Sequence, residues 1–298
     1  MSSARIKLEA QKQLDKQLEN AEEKGLKWFK EAKRMSARPG DNTSNSFTLP
    51  SHVDRNLTTE DSAEEIVEYF AKISQEFTAI EEDTLPQSLI EKLEDIHCEH
   101  PEIVEHDIFE NMKKAKKTDS IPGDIPKAVL KEFLPELATP FTAILKEAVA
   151  SHTWPSNWKK EFHLPIQKIP SPQSEDDLRG IGLTSWISKQ LERLVLNWIW
   201  PYVKPHLDRD QMGGVPGCSV EHYIVNMVDF ILKSMDGDTD ATLLSVAVDY
   251  SKAFNRMKHS NILCSLSAIN VPKCAIKLIK SYLTQRTMCI RYNGAVSE

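Results

Sequence analysis

The stretch LLSVAVDYSKAFNRMKH, residues 243–259, constrains this chain more than any other. Small and β-branched apolar residues run without interruption up to Asp249, which predicts a strand over 242–249. A strand apolar on both faces belongs in the middle of a sheet, covered above and below. The carboxylate at its tip is then held at the sheet edge, partly desolvated, and needs a cation. A metal is the natural partner, and Mg²⁺ is a hard ion taken by one or two carboxylates plus substrate phosphates. The plainer reading makes Asp249 a turn initiator or a helix cap. Two other chemistries fit poorly. DYSKAFN contains no DxD, which disfavours an aspartyl-phosphate hydrolase, and QMGGVPGCS lacks the Lys-Ser/Thr of a phosphate-binding loop and follows no predicted strand.

Length and charge set the frame around this site. The 298 residues suffice for two or three compact units. There is no N-terminal apolar run to serve as a signal peptide, and no stretch approaches about 18 apolar residues, so an intracellular protein is expected. Five scattered cysteines without a CxxC argue against a disulfide framework. The net charge of −7 is unevenly distributed. Residues 1–38 hold 10 Lys/Arg against 6 Asp/Glu, residues 39–110 hold 3 against 19, and residues 111–298 hold 24 against 19. The acidity thus sits in one middle segment, and the C-terminal two-thirds is mildly basic.

Along the chain, residues 1–35 read as a polar helix interrupted at Gly25, and ARPGDNTSNSF as a linker. DSAEEIVEYFAKISQEF predicts a helix with a capping box from Ser62 to Glu65, its apolar positions Ile66, Phe70, Ile73 and Phe77 at helical spacing. LPQSLIEKLEDI predicts another. Beyond residue 105, helices are expected near 105–117, 126–134, 136–151, 186–200, 219–235, 259–269 and 272–284, with strands near 160–168, 242–249 and 287–293. The order does not repeat as βαβαβ, which makes the fold α+β. HCEH brings His97, Cys98, His100 and His106 close together as a minor metal-binding candidate, without a second pair at zinc-site spacing.

Five segments then stand in a telling order: KKAKKTDSIPGDIPKAVLK, FHLPIQKIPSPQSEDDLRGIGLTSWISKQLERLV, DRDQMGGVPGCSVEHYIVNMV, SVAVDYSKAFNRMKHSNIL and SYLTQRTMCIRYNGAVS. In this order and spacing they resemble the reverse transcriptases of non-LTR retrotransposons, RNA-directed DNA polymerases. The last two are similar to the family's D-[FY]-S-K-A-F-[DN]-x-[VM]-x-H and SYL-x-x-R blocks. The resemblance implies a right-hand polymerase of which residues 105–298 hold the fingers and the first part of the palm. A polar basic helix (1–38) and a mainly helical acidic linker (39–104) would precede it.

The same resemblance implies roles. Asp249 matches the first metal-binding aspartate of the palm, with Tyr250 beside it at the metal. The backbone from Tyr250 through Ala253 to Phe254 would pass under the triphosphate. Phe254 matches the aromatic that meets C2′ of the sugar and excludes a 2′-hydroxyl. It could equally be a core aromatic. Lys168 and Arg179 would be two legs of a hairpin over the nucleotide, where a triphosphate needs cationic donors. Where the family shows Arg-Pro-Ile-Ser, this chain has Arg179-Gly180-Ile181-Gly182, which predicts a looser loop. Asn255 stands where Asp is common, and His259 is expected as a hydrogen-bonding group at a helix start. The implied cofactor is Mg²⁺. The implied partners are an RNA template, a DNA primer and deoxynucleoside triphosphates, with no membrane, in the nucleus, the cytoplasm or both.

The family's partner carboxylates lie on a later [FY]-x-D-D hairpin, after a GxPQGS block, and neither occurs in these 298 residues. The expectation is a truncated chain that does not polymerise alone, with strand 242–249 exposing unpaired edges. The alternative is a non-catalytic RNA-binding or scaffold protein, in which Lys113, Lys114, Lys116 and Lys117 contact phosphates through charge alone.

Overall fold

Two short apolar runs make the sheet on which the protein is organised. In the computed structural model, which describes residues 47–75, 85–94, 100–114, 121, 124, 127–236, 244–250, 253–254 and 256–297, the strand β1 spans Lys160–Gln167 and β3 spans Thr287–Tyr292. They pair in parallel, Phe162 opposite Cys289. A second strand, β2 (Leu178–Leu183), returns antiparallel along the other edge of β1, and the short β4 (Ala295–Val296) closes a hairpin with β3. The order is β2-β1-β3-β4, a small mixed sheet.

Alternation along β3 sorts its side chains between two cores. Met288, Ile290 and Tyr292 face a cluster built with Leu49, Ala63, Ile66, Phe70 and Leu178, whereas Cys289 joins Phe162 and Ile121. The first cluster belongs to the helix that covers this side of the sheet, α2 (Thr59–Gln75), preceded by the one-turn helix α1 (Pro50–Asp54). Ile66, Phe70 and Ile73 are buried at the spacing expected of them; Phe77 lies outside the described residues.

Away from the sheet, eight further helices follow: α3 (Gln87–Glu94), α4 (Glu105–Lys114), α5 (Lys127–Glu132), α6 (Leu134–Ala150), α7 (Trp186–Val203), α8 (Val220–Met235), α9 (His259–Ala268) and α10 (Lys273–Leu283). Helices α4, α6, α7 and α10 share one core around Met112, Leu145, Trp154, Trp186, Leu191 and Leu278. Helices α3, α9 and α10 share another around Leu89, Leu263 and Ile276. The arrangement is α+β, as expected. The helix expected over 1–35 and the linker after it lie outside the described residues.

Two expectations are corrected. The run 244–250 is not a strand: it has no regular secondary structure, pairs with nothing in the sheet, and leaves Leu244, Val246 and Val248 exposed to 87%, 76% and 72%. It pairs with neither outer strand of the sheet, β2 or β4. The capping box also moves. Thr58 Oγ1 accepts the backbone N–H of Asp61 at 3.1 Å, and the Asp61 carboxylate accepts from the Thr58 backbone at 3.3 Å and from its hydroxyl at 2.7 Å. The helix therefore begins one turn before Ser62, which is buried inside it.

Candidate active site

The β1–β2 hairpin carries the two candidate cations. Ile166 stands opposite Arg179, and the Lys168 backbone N–H donates to the Asp177 carbonyl at 2.8 Å, which continues the ladder one step past β1. Side chains alternate along a strand, so Arg179, its partner Ile166 and Lys168 two residues on share one face of the hairpin. Both cations are exposed. The Lys168 ammonium turns back onto the Asp176 carbonyl at the hairpin tip. That tip is acidic and tightly held: Glu175–Asp177 form a 3₁₀ turn closed by a capping box with Ser174, and the Tyr69 hydroxyl donates to Asp176.

The glycines of β2 do the opposite of loosening. Residues 178–183 are regular strand, and neither Gly180 nor Gly182 has positive φ. A Cβ on Gly182 would lie 1.8 Å from Glu161 Oε1, and one on Gly180 3.0 Å from His163 Nδ1 and 3.3 Å from the Phe70 ring. Both are there because side chains of β1 and α2 lie across the strand.

Those side chains form a polar network that motif reading missed. The Arg286 guanidinium donates to Glu161 at 3.0 Å and stacks 4.4 Å from the centre of the Tyr282 ring. His163 Nε2 lies 2.9 Å from the other Glu161 oxygen. Burial raises the Glu161 carboxyl, but His163 and then Arg286 outweigh it and bring the group down to about 2. Glu192, close by, goes the other way: burial raises it, and the Ser188 hydroxyl at 3.2 Å together with the charges of Arg286 and Lys189 offsets that only in part. The sequence signal was present in Arg286, the last residue of SYL-x-x-R. Glu161 and His163 sit in a strand with nothing to mark them.

The other candidates stand in the open. Asp249, Tyr250, Ala253 and Phe254 are all exposed, Tyr250 to 77% and Phe254 to 91%. Asp249 makes no ion pair or hydrogen bond with Lys168 or Arg179. Phe254 is not a core aromatic, which removes the plain reading of that residue. Asn255 lies outside the described residues. His259 is the first residue of α9. Lys113 and Lys114 end α4, where Lys113 lies 3.7 Å from Glu110; Lys116 and Lys117 lie outside the described residues.

Metal-ligating side chains gather in threes at two places among the described residues. One is His52 with Glu65 and Glu175, the other His100 with His152 and Cys274, each with its atoms within 4.8 Å of one another; Cys274 is disulfide-bonded and offers no thiolate, which leaves the second group two imidazoles. In the first, His52 Nε2 is 3.0 Å from Glu175 and 3.5 Å from Glu65, and Arg55 grips Glu65 through both terminal nitrogens, at 2.8 and 2.6 Å. The cations it needs are its own side chains. In the second, His100 lies 5.3 Å from His152 ring to ring, while His97 and Cys98 lie outside the described residues and His106 is not in the group. Neither includes Asp249.

A hairpin presenting Lys and Arg on one face, inside a mixed sheet flanked by helices, sits where comparison with known proteins is informative. Residues 166–297 match the family described as "Reverse transcriptase (RNA-dependent DNA polymerase)". That stretch takes in Lys168, Arg179, Asp249, Phe254 and Arg286. Over this stretch the chain is similar to the reverse transcriptases, a family that uses divalent metal ions and works on nucleic acid and nucleotides. Over 204 residues the chain is also 27% identical to a "Probable RNA-directed DNA polymerase from transposon X-element" of Drosophila melanogaster. The aligned part covers 67% of this chain and 21% of that relative, so the chain spans about a fifth of the relative's length. Both matches agree with the resemblance to the reverse transcriptases of non-LTR retrotransposons. No described helix is long and apolar enough to cross a membrane.

Proposed function

We propose that this chain supplies the nucleotide-receiving part of an RNA-directed DNA polymerase, with fingers and the start of a palm in residues 105–298. An RNA template, a DNA primer and deoxynucleoside triphosphates are its partners. The observation that carries the reading is the shared face of Lys168 and Arg179 on the β1–β2 hairpin. A triphosphate bound across that face accepts a bidentate fork from Arg179 and a point charge from Lys168, once the lysine leaves the Asp176 carbonyl. Tyr250 and Ala253 stand beneath the phosphates. The Phe254 ring stands against the sugar and leaves no room for a 2′-hydroxyl.

Asp249 is the hard oxygen ligand for the family's divalent ion, and Mg²⁺ is the ion such a ligand favours. No group of three or more ligand side chains gathers around Asp249 among the described residues, so the donors present there do not make a complete Mg²⁺ site. What the ion supplies in such polymerases is neutralisation of phosphate charge. The contributions of this chain's own residues are binding and orientation.

Titrating the chain with a fluorescent deoxynucleoside triphosphate tests the proposal. Arg179→Ala is expected to weaken binding about 10–100-fold, the value of a charge-assisted hydrogen bond, and Lys168→Ala less, since its ammonium already has a protein acceptor. Phe254→Ala is expected to leave deoxynucleotide affinity nearly unchanged while letting a ribonucleotide bind equally well. Equal affinities for wild type and Arg179→Ala would overturn the proposal.

A further inference from the structure

His100, His152 and Cys274 reach one point from three separate parts of the chain, and nucleotide binding at the hairpin uses none of them. His100 stands ahead of α4, His152 just past the end of α6, and Cys274 in the first turn of α10, where it is fully buried. His152 Nε2 is buried and, among the described residues, has no hydrogen-bond partner. A ring nitrogen left bare in that way is costly unless something else takes it. The backbone there is costly as well. The His152 N–H donates to the Val149 carbonyl at 3.3 Å and the Thr153 N–H to the Ala148 carbonyl at 3.1 Å, a Schellman motif with His152 at φ 53°, where glycine is usual. A histidine kept at that position points to a use for its ring.

The spacing is that of metal ligands. Two imidazoles on one tetrahedral ion hold their ring centres about 5 Å apart, given Zn–N bonds of about 2.1 Å. Those of His100 and His152 are 5.3 Å apart. The ligand atoms of all three residues lie within 4.8 Å of one another, so a shift of about 1 Å closes them on a single ion. A cavity of about 220 Å³, lined by His100, Ile103, Lys146 and Val149, opens beside the group and gives an ion a way in. Burial and the charges of His100 and Lys277 hold the His152 imidazole below its ordinary value, in the neutral form that a metal takes. The obstacle is the Cys274 sulfur, which is bound in a disulfide. Set free in the first turn of a helix, it is favoured as a thiolate, a strong ligand.

We propose that reduction of the Cys274 disulfide opens a transition-metal site in which His100, His152 and the Cys274 thiolate hold one Zn²⁺, with water in the fourth position. A thiol or phosphine reductant supplies two electrons and is itself oxidised, to a disulfide or a phosphine oxide. The S–S bond becomes two thiols, and Cys274 Sγ gives its proton to water as it binds the ion. Two nitrogens and a sulfur suit Zn²⁺ rather than Mg²⁺, which takes oxygen. The ion pins the segment ahead of α4 to the end of α6 and the start of α10. The site is independent of nucleotide binding at the hairpin.

Titrating the full chain with Co²⁺, with and without a phosphine reductant, tests the proposal. The reduced chain is expected to bind one equivalent, with the visible bands of tetrahedral cobalt and a near-ultraviolet thiolate-to-cobalt charge-transfer band, both lost when Zn²⁺ is added. The oxidised chain is expected to show no charge-transfer band. His152→Gly suits the left-handed backbone, so it is expected to fold as wild type does while binding Co²⁺ at least about 100-fold more weakly. Cys274→Ser is expected to abolish the charge-transfer band, and Cys218→Ser, which removes a free and exposed thiol, to leave it unchanged. A reduced chain without that band would overturn the proposal. So would a band of equal strength in the oxidised chain, or a Co²⁺ affinity that His152→Gly leaves untouched, as binding through Cys218, Cys264 or Cys289 would give.

Discussion

Residues 287–292 and 244–250 are both short apolar runs, and they end up in opposite states. Ile290 is fully buried, whereas Val246 is 76% exposed. Strand β3 has β1 on one edge, β4 on the other and α2 across its face. Residues 244–250 have none of these. Apolar composition makes a segment able to be a strand, but neighbours distant in sequence decide whether it becomes one. The comparison divides the described residues into a consolidated part around the sheet and the α4/α6/α7/α10 core, and an apolar but uncovered part made of α8, residues 244–250 and residues 253–254.

The sharpest way to break that division is by truncation. Ile290→Ala or Leu278→Ala removes a fully buried side chain and is expected to cost about 2–5 kcal/mol in urea unfolding. Val246→Ala and Phe254→Ala are expected to stay within about 0.5 kcal/mol. Comparable losses in the two sets would show that 244–254 is packed in solution.

The Glu161 network gives the next largest effect, and it depends on pH. The folded carboxyl is held near 2 against an ordinary 4.5, so its stabilising contribution is complete above about pH 4.5 and is lost as the pH falls toward 2. Glu161 is 24% exposed at the side chain, which leaves about 2–3 kcal/mol from a shift of this size. Melting curves of wild type and Glu161→Gln are expected to differ at pH 7 and to converge near pH 2. A constant gap across that window would mean that the residue acts through packing alone. Gly182→Ala strikes the same network from the other strand. Its Cβ would occupy the place of Glu161 Oε1, and displacing a carboxylate tied to Arg286 and His163 is expected to cost about 1–3 kcal/mol. Gly180→Ala, whose nearest contact is 3.0 Å, is expected to cost less.

Much of this was legible in the sequence, and the reason differs by region. Helical spacing located α2 through α10 to within a few residues, because the apolar side of a helix repeats every three or four residues whether or not it is covered. Strands β1 and β3 were found, and the hairpin between Lys168 and Arg179 was expected from the family resemblance. β2 was not read as a strand, since LRGIGL has two glycines whose purpose lies in Phe70 and in Glu161 and His163 of β1. The Glu161–Arg286–His163 network was invisible for the same reason: it joins residues 125 apart. The strand over 242–249 was expected from an apolar run, and such a run names no partner strand, which is how residues 244–250, expected inside a sheet, came to lie at the surface.

The smallest effect concerns a local signal placed one turn too late. Two pairs compete for the start of α2: Ser62 with Glu65, which matches a capping box in sequence, and Thr58 with Asp61, which forms one. Leu57 and Thr58 lie outside the helix, whereas Ser62 takes its place within it, its N–H donating to the Thr58 carbonyl at 3.0 Å. Burial of Ala63 and Ile66 against Leu49 and Tyr292 requires a full turn ahead of them, so the earlier cap wins. Thr58→Ala should therefore lower stability by about 1 kcal/mol and Thr58→Asn much less, since Asn still supplies the acceptor. Glu65→Ala should be felt through its ion pairs with Arg55 and His52 rather than through the helix end. If Arg55→Ala leaves the cost of Glu65→Ala unchanged in a double-mutant cycle, the ion-pair account of Glu65 fails and the later cap regains its claim.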